Sequence, residues 1–237
     1  MSQRQPIFNV PGVVLWLLAS FAAVHLLLWS LPAEDGEWLT VVLAFIPARL
    51  AAADGSIPGG HLAAVTSFLT HQFVHGNLPH LFLNSAWLLA FGSPIARRTD
   101  PLRFMVFFLM CGVAGALLYV AFNGEDRIAV VGASGAISGL MGAAFRFIFT
   151  NPSDDRMSGL ASAPLLPLGQ TLRDKRILLV IVGWTVLNVL LALSGVGLAE
   201  AAGIAWEAHL GGFYAGLLLY GFFDRLSAVG EDAAPPE

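Results

Sequence analysis

Charge is what this sequence has least of. Asp, Glu, Lys and Arg make up 12% of its 237 residues, about half the roughly 25% of an ordinary soluble domain. Hydrophobic residues make up 57%, and the mean hydropathy is +0.73. So few charges cannot solvate a 25.2 kDa globule, which excludes a soluble enzyme and a disordered chain. The net charge of −4 offers no global basic field for nucleic acid. Cysteine is also scarce. One residue, Cys111, excludes an internal disulfide framework and a Cys-rich metal site, and it reads as a small buried hydrophobe. What remains is an all-α fold, a polytopic membrane helix bundle.

A spanning helix needs about 20 apolar residues. Six runs approach that length: 10–31, 78–95, 102–122, 128–149, 177–198 and 204–223. The first is long for the apolar stretch of a cleaved leader, and Trp29-Ser30-Leu31-Pro32 is a poor cleavage site, so it is expected to persist as a helix. Residues 1–9 then form a cytoplasmic N-terminus, 10–225 a membrane domain and 226–237 a disordered cytoplasmic tail. Six spans put both ends on one side. That side carries ten basic residues, Arg4, Arg97, Arg98, Arg103, Arg146, Arg156, Arg173, Lys175, Arg176 and Arg225; the other has two, Arg49 and Arg127. The basic side is expected to be cytoplasmic. Two connections are long. The outer one, 32–77, is half apolar and is expected to lie in the membrane interface; the inner one, 151–176, reads as a flexible loop.

Polar groups inside membrane spans are costly and point to function. Three places have them. The fourth run contains Gly132-Ala133-Ser134-Gly135, in which small neighbours expose a hydroxyl near a helix N-terminus, where free N–H groups favour an oxyanion. The same stretch also reads as a packing face through Gly135 and Gly139. The sixth run has His209, Gly212 and Gly216 on one helix face; alone, His209 reads equally as a structural hydrogen-bonding group. The second run opens with His80 and Asn84 four residues apart, with Asn77 as an expected N-cap and Pro79 in the first turn. Metal binding competes for His71, His75 and His80, but no carboxylate stands at ligand spacing; His71 and His75 read as structural, and His25 and His61 as structural or exposed. Ser134 lies about 10 Å in from Arg127 at 1.5 Å per residue. His209, His80 and Asn84 enter from the same side, so all four share one depth. A serine hydroxyl needs a base, and His209 is the sole histidine on the last three runs. Asn84 and the Ser134 N–H are placed to donate to an oxyanion. Glu207 is two residues from His209 and points elsewhere, which leaves a Ser–His dyad.

Taken together, His80-x-x-x-Asn84, Gly132-x-Ser134-Gly135 and His209-x-x-Gly212-x-x-x-Gly216, in this order over six runs, resemble the rhomboid family of intramembrane serine proteases, in its basic, mostly prokaryotic form. The resemblance implies Ser134 as nucleophile, His209 as general base, and Asn84 with His80 as the oxyanion-stabilising pair. It further implies a single-pass transmembrane protein as substrate, the lipid bilayer as surroundings, a cell (inner) membrane location, no metal and no nucleotide. The sequence departs from the family pattern in three ways, of which one is a 151–176 loop longer than a minimal connection and two are side-chain positions. A Trp-Arg pair common four to five residues before the place of His71 is Thr66-Ser67 here, and an aromatic residue common four after the nucleophile is Ser138. They bear on the anchoring of the first long loop and on packing against His209. The alternatives are a catalytically silent rhomboid-like protein that binds transmembrane helices, and an unrelated transporter. A transporter is expected to carry paired charges or broken helices near the midplane, which the runs lack.

Overall fold

A computed structural model describes residues 10–52, 56–150, 160, 162–194 and 205–225. The expected ends, 1–9 and 226–237, lie outside the described residues, as does most of the first half of the 151–176 connection. Among the described residues the fold is helical, without a β-strand.

The six apolar runs fall on helices, but unequally. Two helices are long and apolar enough to cross a membrane by themselves, α1 (Gly12–Ser30) and α6 (Pro101–Asn123). α1 carries no charge and buries little beyond Val14, Leu17 and Phe21; Leu15, Trp16, Leu26, Leu27 and Trp29 face outward. The second run is a continuous but irregular path, α4 (Leu78–Trp87), a π-helical stretch Leu88–Gly92 and α5 (Ser93–Ala96). Pro94 has no N–H for the carbonyl four residues back and its ring crowds it, and widening the preceding turn relieves that conflict.

The fourth run departs most from the sequence pattern. Residues 128–133 are apolar but not helical. Phe45 and Val130 exchange backbone hydrogen bonds of 2.9 and 2.8 Å, and the Gly132 N–H donates to the His71 carbonyl at 2.9 Å. With these backbone groups already paired to the outer loop, the helix α7 starts at Ser134 and ends at Ala144. It is about 16 Å long, and every residue from Gly135 to Ala144 is buried. A short helix of this kind is carried by its neighbours. α6 and the last helix, α10 (Trp206–Leu219), flank it so closely that a Cβ on Gly212 would strike the carbonyl oxygen of Gly135, and one on Gly216 that of Gly139. The helix-packing reading of the small residues therefore holds.

The remaining helices frame this core. The outer connection folds into α2 (Ala33–Leu43), a 3₁₀ turn Pro47–Leu50, α3 (Gly60–Thr70) and a 3₁₀ turn His71–Phe73. Its anchor is Arg49. The buried guanidinium donates to the carbonyls of Ala44 at 2.7 Å and Val41 at 2.5 Å. These lie at the C-terminal end of α2, where carbonyls lack intrahelical partners and the dipole is negative. Thr70 Oγ1 adds a bond to the Leu43 carbonyl at 2.7 Å. The loop is thus fastened without the Trp-Arg pair that Thr66-Ser67 replaces. The described part of the inner connection, residues 162–176, is partly helical. It contains α8 (Leu168–Thr171), and Leu166 and Arg146 bond in both senses: Leu166 N–H donates to Arg146 O at 2.9 Å, and Arg146 Nη2 donates to Leu166 O at 2.9 Å. α9 (Lys175–Ser194) packs on α10 from outside.

Candidate active site

α4 is capped as its sequence implies: the Asn77 side chain accepts from the His80 N–H at 2.8 Å, with Pro79 in the first turn. This start projects His80 and Asn84 from one face of the helix. Asn84 is buried, and its Nδ2 donates to the His80 carbonyl at 3.2 Å. An amide nitrogen carries two hydrogens, so one is left for another acceptor.

Gly132 joins this pair to α7. Its φ is +115°, a backbone that side chains rarely adopt. A Cβ there would stand 2.6 Å from His80 Nε2 and 3.6 Å from Asn84 Nδ2. Glycine at this place therefore lets the backbone that leads into α7 pass directly against His80 and Asn84. Ser134 is the first residue of α7, where the N–H groups of the first turn have no acceptor inside the helix.

His209 enters from α10. Its Nε2 lies 2.8 Å from Ser134 Oγ. Its other ring nitrogen, Nδ1, lies 2.9 Å from the side-chain oxygen of Asn188 on α9. Asn188 is buried, whereas Ser134, His209 and His80 remain partly exposed. Glu207 does not turn toward the imidazole; its Oε1 accepts from Asn123 Nδ2 at 2.9 Å. No aromatic ring pairs with His209 among the described residues, in keeping with Ser138 four residues after Ser134.

Of the other histidines, His71 and His75 touch residues of the site. His71 holds its Nδ1 2.7 Å from the Ser67 carbonyl, and burial lowers its pKa to about 4, so it is neutral while its backbone carbonyl holds Gly132. The buried His75 ring lies between Phe21, at 4.9 Å, and His80, at 5.3 Å between centroids. His25 Nδ1 lies 3.1 Å from the His75 carbonyl, and His61 is exposed. No group of three or more His, Cys, Asp or Glu among the described residues is arranged to hold a metal ion.

The structure thus brings together all four residues singled out from the sequence, Ser134 and His209 in direct contact and His80 and Asn84 beside Gly132. Asn188 is the member that sequence reasoning missed. Its signal was an amide inside the otherwise apolar run 177–198, a polar group of the same kind as the others but with no glycine motif around it.

The rhomboid domain model matches residues 63–225 of this sequence. The chain belongs to the rhomboid family. Three Arabidopsis thaliana rhomboids are among its relatives. RHOMBOID-like protein 4 is 28% identical over 151 residues, 64% of this chain and 32% of its own length. RHOMBOID-like protein 7 is 29% identical over 159 residues, 67% and 43% respectively. RHOMBOID-like protein 6, mitochondrial, is 31% identical over 83 residues, 35% and 26%. The chain therefore spans less than half the length of each of these relatives. As a rhomboid it is a membrane protein, and the all-α helical bundle is the fold expected of that family.

Proposed function

We propose that this rhomboid is an intramembrane serine endopeptidase that cleaves single-pass transmembrane proteins through Ser134 and His209. The observation that carries this reading is the 2.8 Å contact between Ser134 Oγ and His209 Nε2, two residues after Gly132, which lies against His80 and Asn84. His209 Nε2 takes the hydroxyl proton as Oγ attacks a peptide carbonyl carbon. The carbonyl π electrons move onto oxygen, and the oxyanion is met by Asn84 Nδ2, the His80 ring and the Ser134 N–H. The tetrahedral intermediate collapses, the C–N bond breaks, and His209 passes its proton to the departing amine. Water then gives a proton to His209 and its oxygen attacks the acyl-enzyme ester; a second collapse returns the proton to Ser134 and releases the carboxylic acid, which gives up its remaining proton to water. Every proton moves among Ser134, His209, substrate and water, so the chemistry calls for no cofactor.

The substrate class follows from the surroundings. A peptide carbonyl inside a transmembrane helix is bonded to an N–H four residues on and shielded by its turn. Cleavage needs a segment that unwinds at the level of Ser134. The ten-to-two basic asymmetry supports both ends cytoplasmic with the Ser134 end of α7 toward the opposite face, and the likeness to the basic, mostly prokaryotic rhomboid form supports a cell (inner) membrane.

Detergent-purified protein incubated with a single-pass polypeptide carrying a Gly- or Pro-weakened outer segment is expected to cleave it, and Ser134→Ala is expected to abolish cleavage. Cleavage that persists in Ser134→Ala overturns the serine mechanism. No cleavage by the unaltered protein, with no labelling of Ser134 by a serine-directed phosphonate, overturns the enzyme and leaves a rhomboid that binds transmembrane helices.

A further inference from the structure

We propose that Asn188 is the positioning residue for the base: its side-chain oxygen holds the Nδ1–H of His209 and so turns the unprotonated Nε2 toward Ser134. This rests on the protease reading of Ser134 and His209 and adds a third member to it.

The orientation of the Asn188 amide follows from its second partner. Asn188 Nδ2 donates to the Trp184 carbonyl at 2.9 Å. A carbonyl only accepts, so the amide nitrogen must face Trp184 and the amide oxygen must face His209, 2.9 Å from Nδ1. An amide oxygen also only accepts. The proton of a neutral His209 therefore sits on Nδ1, and Nε2 carries the lone pair. At 2.8 Å from Ser134 Oγ, that lone pair can only receive the hydroxyl hydrogen. One carbonyl on α9 thereby selects the imidazole tautomer that a general base requires, through two bonds that cannot be reversed together. The same oxygen continues to accept from Nδ1–H when the ring becomes imidazolium during attack, stabilising the charge as it develops.

Nothing else among the described residues does this. Ser138 has no ring to lie against the imidazole, and Glu207 is engaged with Asn123. Asn188 is itself held in place. It is buried at 2% exposure, so water does not compete for its oxygen, and one turn away Thr185 Oγ1 and Tyr214 Oη meet at 2.8 Å, fastening α9 to α10. An amide in an apolar helix is costly unless both its ends are bonded; here both are.

The test compares Asn188→Leu, which keeps the volume and loses the acceptor, with Asn188→Asp, which restores an acceptor oxygen. With the single-pass polypeptide above as probe, Asn188→Leu is expected to lower kcat on the order of 10²-fold with little change in KM and no loss of folded protein in thermal unfolding, and Asn188→Asp is expected to recover most of it. Nitrogen NMR of histidine-labelled protein gives a readout that packing alone does not move: His209 is expected to show a protonated Nδ1 and an unprotonated Nε2, and Asn188→Leu to lose that preference. Full kcat in a folded Asn188→Leu, or a protonated Nε2 in the unaltered protein, overturns the proposal. Should the unaltered protein lack activity altogether, the protease reading fails separately, and the nitrogen spectrum alone decides what Asn188 does.

Discussion

At residue 132 the backbone and the chemistry ask for the same amino acid. A φ of +115° costs a residue with a side chain of the order of 1–3 kcal/mol, and a Cβ would also press on His80 Nε2 at 2.6 Å. Gly132→Ala is therefore expected to push His80 away from the start of α7. The oxyanion would lose the His80 side of its surroundings, and kcat is expected to fall on the order of 10²-fold, with weaker phosphonate labelling. Asn84→Ala is expected to show a similar loss. If the two residues serve one pocket, the double variant loses much less than the product of the single losses; multiplicative losses in kinetics would separate them. Ser134, His209, His80 and Asn84 were legible in the sequence because each is a polar group in an apolar run with a distinctive spacing around it. Asn188 was not. Its meaning depends on α9 lying against α10, a contact between positions 21 apart that no local pattern encodes, and on an amide whose two ends become distinguishable once both partners are in place.

Helix by helix, glycine decides how close the chain can come to itself. The six runs were legible as helices because composition alone demands internal backbone pairing in lipid. The bounds of α7 were not, because the apolar stretch 128–133 satisfies its backbone across the molecule, with Phe45 and His71, and apolarity does not distinguish that from helix. The glycines of α10 read as one face, and the structure adds what that face touches. A Cβ on Gly216 would run into the backbone of Gly139. Backbone cannot move aside as a flexible side chain can, so Gly216→Ala is expected to force α10 from α7 at a cost near or above about 3 kcal/mol. In α9, by contrast, a Cβ on Gly183 meets nothing within 4 Å, and Gly183→Ala is expected to be neutral or stabilising by roughly 0.5–1 kcal/mol. Denaturant unfolding in a mild detergent measures both. Equal effects of the two substitutions would mean that helix propensity, and not the α7–α10 approach, governs the bundle.

Across the whole molecule, chemistry and cohesion sit at opposite ends of the same helices. The site gathers at the starts of α4, α7 and α10. Past their far ends, Arg98 pairs with Asp224 at 2.7 Å with both side chains fully buried, donates to the Leu160 and Ala163 carbonyls and lies over the Phe147 ring at 4.4 Å; Arg146 donates to the Leu166 and Leu217 carbonyls nearby. Both arginines were counted from the sequence among the charges that set orientation. Sequence position near a run's end does not reveal whether such a charge faces headgroups or the protein interior, and here it is the interior. Removing one partner of a buried pair leaves an uncompensated charge, which costs about 3–5 kcal/mol. Asp224→Ala is therefore expected to lower the unfolding midpoint sharply. The joint replacement Arg98→Met with Asp224→Leu removes both charges and is expected to recover much of that loss. The distance to Ser134 is about the 16 Å length of α7, with a rigid, fully packed helix between. Well below its unfolding temperature, Asp224→Ala is therefore expected to keep the kcat of the unaltered protein; a lower kcat in protein still fully folded would show that the clamp at this end sets the geometry of Ser134 and His209 at the other.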